Sequence, residues 1–206
     1  MKNAPDKNSY HHGDLKRALL DASIRILKEE GYKALSLRKA AMLAGVSQSA
    51  PYRHYNDLES LYADIAEEGF KLLSERQRKI QSKYRTNPLL LFREAGVSYV
   101  EFALEHQDLF RIMYGNQIES HLKYESLVRM EDDSFRIIVE IIQACETAGI
   151  IKTPSIEKSA IAAWTMVHGI AVLLSGKQVM FRSVELRKAR KITKDLILFL
   201  YTGMKA

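Results

Sequence analysis

Between Leu35 and Tyr55 the chain reads LSLRKAAMLAGVSQSAPYRHY, and no other segment restricts the fold so tightly. Ser36 is an N-cap residue, and after it Leu37, Ala40, Ala41 and Ala44 recur at three- and four-residue intervals, which makes one apolar helix face and leaves Arg38 and Lys39 on another. Gly45 can adopt the left-handed backbone that ends a helix and redirects the chain, and Val46 plugs the turn. Ala41 is small enough for a second helix to approach closely. Ser47 is the next N-cap, and the residues behind it, Gln48, Ser49, Tyr52, Arg53, His54 and Tyr55, are nearly all hydrogen-bond donors. The spacing is that of a helix-turn-helix whose second helix can enter a DNA groove. An ordinary surface helical hairpin would show the same spacing. Pro51 lacks an N–H about one turn into that second helix, so its start should be short or tightened.

The flanks narrow the choice. A helix with Leu15, Leu19, Ala22 and Ile26 on one face precedes the unit and ends at Glu29-Glu30-Gly31-Tyr32; a long helical run beginning with Leu61, Tyr62, Ile65 and Ala66 follows it. From Asp14 to Leu61 this order resembles the N-terminal domain of TetR-family transcriptional regulators: a helix ending in E-x-G-Y, a Ser-led second helix with Ala-Ala, the A-G-V-S turn, and Y-x-H-Y where Y-x-H-F is commoner. One position departs from the family. The lysine that usually follows the last aromatic by three residues, and reaches a phosphate, is replaced by Leu58, so that contact is absent or supplied elsewhere. The resemblance extends to the C-terminal half, where Trp164-Thr165-Met166-Val167-His168-Gly169 is similar to the Trp-x-x-x-His-Gly signature of the WHG class of TetR ligand-binding domains. His106 to Tyr114 and the Tyr10-His11-His12-Gly13-Asp14-Leu15 opening resemble that class as well.

With four prolines, ten glycines and no run alternating with period two, an all-α architecture is expected, built from about nine helices at 14–30, 37–44, 47–54, 57–84, 88–105, 107–114, 123–148, 156–178 and 184–203. Pro88 and Pro154 stand at helix starts and Gly149 at a helix end. The expected division is a DNA-binding domain with an N-terminal arm over residues 1–56, and a ligand-binding and dimerisation domain over 57–206. Charge follows it: residues 1–55 carry ten Lys/Arg against five Asp/Glu, and the rest are nearly balanced at 21 against 20. The positive excess lies where phosphates would be neutralised.

The last two helices bear on assembly. Ile156, Ala160, Ala163, Trp164, Val167, Ala171 and Leu174 form one stripe, and Ile192, Leu196, Phe199 and Leu200 form another. Ile161, Ala162, Ile170 and Val172 fall off the first. A helix apolar around much of its circumference needs more than one partner. The resemblance implies that these helices pair with their symmetry mates in a homodimer, which could set two reading helices one DNA turn, ~34 Å, apart.

The resemblance also implies what each part does. Gln48, Ser49 and Arg53 are expected on base edges of a double-stranded operator, with Ala50 beside them in the DNA-binding set. Ser36 and Arg38 should meet phosphates, and Tyr52, His54 and Tyr55 should divide between phosphate contact and packing. Lys2, Lys7, His11 and His12 either extend the contact as an arm or belong to a disordered tail. For an unidentified small-molecule effector the expected wall residues are Phe102, Phe110, Met113, Tyr114, Trp164, Met166 and His168, with His168 better suited to a structural hydrogen bond. Such residues at helical spacing are also what a plain core contains. The function expected is that of a ligand-responsive repressor released from a palindromic operator. The alternative is a protein of the same fold that binds a ligand or partner without reading DNA.

No H-E-x-x-H, cysteine pair or glycine-rich phosphate loop is present, and the six histidines are scattered, so no catalytic set, metal site or cofactor is expected. Cys145 stands alone, which fits a reducing compartment. The N-terminus lacks an apolar signal region, and apolar stretches such as 169–174 and 196–201 are too short to span a bilayer, so a cytoplasmic protein is expected.

Overall fold

The computed structural model describes residues 12–176 and 185–204. Among them every regular element is helical: α1 (His12–Glu30), α2 (Leu37–Leu43), α3 (Leu58–Lys83), α4 (Pro88–Glu105), α5 (Gln107–Tyr114), α6 (Glu125–Thr147), α7 (Ile156–Ser175) and α8 (Leu186–Met204), with short 3-10 turns at Tyr32–Ala34, Ala50–Arg53 and His121–Lys123. The expected all-α architecture is therefore observed, with bounds within about two residues of those read from periodicity. The expected helix bounds at 178 and 184 lie outside the described residues, as do Lys2, Lys7 and His11.

One element differs. The helix expected at 47–54 is a single 3-10 turn over Ala50–Arg53, with Pro51 in its first positions and the amide of Tyr55 donating to the Pro51 carbonyl at 3.0 Å. An α-helix begun at Ser47 would set the Pro51 ring against the Ser47 carbonyl and lose one ladder bond. The chain instead places proline where no donor is needed.

Elsewhere local chemistry explains the boundaries. The Ser36 side chain accepts from the Lys39 amide and starts α2. Gly45, at φ +70°, ends it, while the Val46 amide bonds back to the Ala41 carbonyl at 3.0 Å. At the head of α3 the Asp57 carboxylate accepts from the Ser60 amide at 2.8 Å, and the Ser60 hydroxyl closes a capping box. Asn87 caps α4 ahead of Pro88, and Ser155 caps α7.

The N-terminal module is α1, α2 and the Ala50–Arg53 turn, closed over the head of α3. Its core joins Leu15, Leu19, Ile26, Leu37, Ala40, Ala41, Tyr55 and Leu61. Ala41 is fully buried at the crossing. Around the C-terminal half, α4 is the central rod: it packs against α3, α6, α7 and α8, and ten of its eighteen residues are buried, which is why it reads as apolar on most sides.

The register of α8 is offset from the expected stripe. Ala189, Thr193 and Ile197 face inward, whereas Leu196, Leu198 and Phe199 are exposed, Phe199 at 80 %. Ile161, Val172 and Leu173 of α7 are exposed too, while Ala160, Ala163, Val167, Ala171 and Leu174 are buried as anticipated. Both helices thus have one apolar side inside the chain and a second with no covering element among the described residues. Contrary to the sequence reading, α7 is, by length and composition alone, long and apolar enough to cross a membrane. Its inner face packs against α4 and α6.

Candidate nucleic-acid interface and central cavity

The polar residues around the second helix-turn-helix element separate by burial. Arg38, Gln48, Ser49, Tyr52 and Arg53 are exposed. Gln48 Oε1 accepts from Arg38 Nε at 3.1 Å and from Nη2 at 2.8 Å, which puts α2 and the turn on one polar surface. An exposed pair of this kind is worth little, so both groups can exchange partners without cost to the fold. Ser47 and Ser49 share a hydrogen bond of 3.2 Å between their hydroxyls. Lys39, beside them, is engaged by Glu30.

The remaining residues of the expected DNA-binding set are less accessible. Ala50 is buried and packs in the module core, so its methyl is not at the surface. Tyr55 is 2 % exposed, and its hydroxyl donates to Asp64 Oδ2 at 2.9 Å. Burial, reinforced by the Asp64 charge, pushes that phenol far above its ordinary pKa, so it stays a neutral donor. Of the two roles open to it, Tyr55 takes packing. Ser36 is half-buried with its hydroxyl already occupied as the cap of α2. His54 is half-buried behind Tyr52 and Arg53. Leu58, the departure from the expected lysine, is partly buried against the module core.

Asp64 also ties the module to α3 through Lys16, whose Nζ lies 2.7 Å from Oδ2, and Arg17 reaches Glu68. A second joint lies at α5. Asp108 Oδ2 stands 3.4 Å from where a side chain on Gly31 would begin, and the Arg111 guanidinium sits 4.8 Å over the Tyr32 ring. The short helix α5 therefore touches the N-terminal module at one end and, through Tyr114, a cavity at the other.

That cavity, about 350 Å³, lies among α3, α4, α5, α6, α7 and α8. Its walls are mostly apolar. Phe70, Phe92, Tyr99, Tyr114, Phe135 and Trp164 supply the rings. Of the seven anticipated wall residues, Tyr114, Trp164 and Met166 line it. Phe102, Phe110 and Met113 are buried in the core, and His168 stands behind the wall. The His168 Nδ1 shares a 2.8 Å hydrogen bond with the Tyr99 hydroxyl, the structural role suited to it. Burial lowers the His168 pKa and raises that of Tyr99 to about 12, so a neutral imidazole meets a neutral phenol. The Tyr114 phenol is pushed up further by burial.

Sequence reasoning missed Tyr99, Phe92, Phe135, Gln77, Glu131 and Asp132 as wall residues. Gln77 is buried and donates to the Ala95 carbonyl at 3.1 Å, a buried amide in a helix otherwise patterned as amphipathic, and this was the one available signal. No group of three or more metal-ligating side chains occurs among the described residues.

Residues 19–65 match the family described as bacterial regulatory proteins, tetR family, and residues 92–192 match the tetracyclin repressor-like C-terminal domain. The HTH-type transcriptional regulator AcrR of Shigella flexneri is 28% identical over 88 residues, which are 43% of this chain and 41% of that protein. The chain thus spans about two fifths of the length of that curated relative. A protein of unknown function from Rhodococcus sp. RHA1 is 29% identical with a TM-score of 0.81, over 97% of this chain and 100% of that one. The TetR family transcriptional regulator PfmR from Thermus thermophilus shares the fold at 18% identity and a TM-score of 0.64, over 96% of this chain and 100% of that one.

Proposed function

Given that the chain belongs to the TetR family of DNA-binding transcriptional regulators, we propose that it is a cytoplasmic, homodimeric repressor that leaves a palindromic operator when a small molecule enters the central cavity. Residues 1–56 act as the DNA-binding domain, and residues 57–206 hold the effector and the partner copy. The capping box at Asp57 falls on that joint and supports the division.

The observation that carries the reading is the exposed surface of Arg38, Gln48, Ser49, Tyr52 and Arg53 mounted on a buried base of Ala40, Ala41, Ala50 and Tyr55. Exposed donors on a rigid element are what groove recognition requires. Arg53 and Gln48 take base edges, each worth about 1–3 kcal/mol of discrimination when bidentate. Arg38 and Tyr52 take phosphates, and Ser36 acts through the start of α2. The exposed apolar sides of α7 and α8 suit a twofold-related pair of helices from a second copy, which a reader of two half-sites needs.

For release, α5 supports a direct route: Tyr114 lines the cavity while Asp108 and Arg111 face Gly31 and Tyr32. A ligand that displaces Tyr114 shifts α5 against the end of α1. It acts only to the extent that it prefers one of the two arrangements.

The test is selection of bound duplexes from a random pool at two salt concentrations. A recovered palindrome whose binding weakens with salt supports the dimeric reader. Absence of enrichment favours a TetR-fold ligand or interaction protein that does not read DNA.

A further inference from the structure

Among the described residues, those lining the central cavity carry charge of one sign. Among the described residues its sole charged lining groups are Glu131 and Asp132, adjacent on α6, and no Lys, Arg or His of that set lines it. The same cavity is lined by the rings of Phe70, Phe92, Tyr99, Tyr114, Phe135 and Trp164. Several of these interlock: Phe70 meets Tyr114 edge-on at 5.2 Å, and Phe135 meets Trp164 edge-on at 6.4 Å. A ring face attracts a cation, so each face turned into the cavity adds to the two carboxylates.

From this arrangement we infer that the cavity takes an organic cation: an apolar or aromatic body seated among the rings, with an ammonium-type head at Glu131 and Asp132. The inference deepens the effector reading above and rests on it for its biological meaning. The size suits a body of about two fused rings, since small-molecule pockets begin at roughly 300 Å³. Glu131 is held in place by His121 Nδ1, so the carboxylate keeps its position with no ligand present. Glu131 and Tyr114, the last residue of α5, line the same cavity. An anionic ligand would meet two carboxylates, with no basic group among the described lining residues to receive it. A neutral ligand would gain the rings alone, and the two carboxylates would contribute nothing to its selection.

Three probes of one skeleton isolate the charge: naphthylmethylammonium, naphthalenemethanol and naphthoate, titrated calorimetrically into the full chain at neutral pH. The cation should bind about tenfold tighter than the alcohol, and naphthoate weakest. In the double variant Glu131→Gln, Asp132→Asn the cation should fall to the level of the alcohol while the alcohol keeps its affinity, which reports an intact cavity. The inference is overturned if the alcohol or naphthoate equals the cation, if none of the three binds, or if the variant keeps the cation preference. Adding each probe to the DNA complex separates the two readings. Cation binding that leaves the duplex bound removes the effector role and leaves the cavity chemistry standing.

Discussion

Single residues set the proposed reading surface by deciding which side chains are spent on the fold. Ala50 and Tyr55 fill the module, Ser36 caps α2, and what is left at the surface is Arg38, Gln48, Ser49, Tyr52 and Arg53. The hinge of that arrangement is Gly45, whose φ of +70° leaves open space where a Cβ would stand. A side chain there meets no neighbour and is penalised by the backbone alone. Gly45→Ala should therefore destabilise the protein by about 1 kcal/mol while its helix content stays the same, as urea unfolding followed by circular dichroism would read. A variant as stable as the parent would mean that the left-handed turn is not what joins the two elements. Much of this was legible in advance, because Ser36 and Gly45 have local conformational preferences that need no tertiary context, whereas Ser47, read as the next N-cap, caps no helix. The burial of Tyr55 was not legible, since its partner Asp64 lies on the next helix and nothing in the order Y-x-H-Y separates a phosphate contact from a packed phenol.

At the scale of elements, periodicity located the helices and failed where two faces of one helix are both apolar. Leu196 and Phe199 read as one apolar stripe of α8 with Ile192 and Leu200, and periodicity did not say which way it faces; the side that packs within the chain is Ala189, Thr193 and Ile197. Thr193 is tolerated there because its hydroxyl bonds to the Ala189 carbonyl at 2.9 Å. The helix expected from 47 shrank to one 3-10 turn because Pro51 excludes an α-helical start, a constraint that could be read as tightening but not as replacement of the whole element. The cavity wall was legible only in part for a related reason: Phe102 and Phe110 share α4 and α5 with Tyr99 and Tyr114, and the choice between core and wall depends on where α6 and α7 lie. The exposed side of α8 yields its own prediction. Phe199→Glu places a charge in the middle of the proposed helix pair, so it should convert a dimer into a monomer by sedimentation at micromolar concentration, with thermal unfolding of the monomer little changed because Phe199 lies outside the core within the chain. A variant that remains dimeric would move the interface away from α8.

For the whole molecule, charge organises the structure twice. A network of Glu94, Glu101, Arg76, Arg190 and Lys194 ties α3 and α8 to the central α4. Burial alone would raise the Glu94 pKa, but Lys194, Arg93 and Arg190 together lower it. Histidine burial acts in a higher window. His106 and His168 are each lowered below 6.5 by desolvation, so both remain neutral in the folded chain while the unfolded chain protonates them. A depressed value stabilises the fold above the unfolded pKa and loses that contribution as pH falls through the folded one. Stability should accordingly drop as pH falls through about 6.5, and His168→Gln should reduce the drop, as urea midpoints on either side of that pH would show. An unaltered pH dependence in the variant would exclude the buried imidazole as a source.

The central claim is that one surface reads DNA while the rest of the chain folds and pairs without it. It is tested most directly by replacing Arg38 and Arg53 together with alanine and measuring affinity for the selected duplex alongside helix content and molecular mass in solution. The account predicts at least a roughly tenfold loss of DNA affinity, with the helical spectrum and the dimer unchanged. Undiminished binding by a folded, dimeric variant would contradict it.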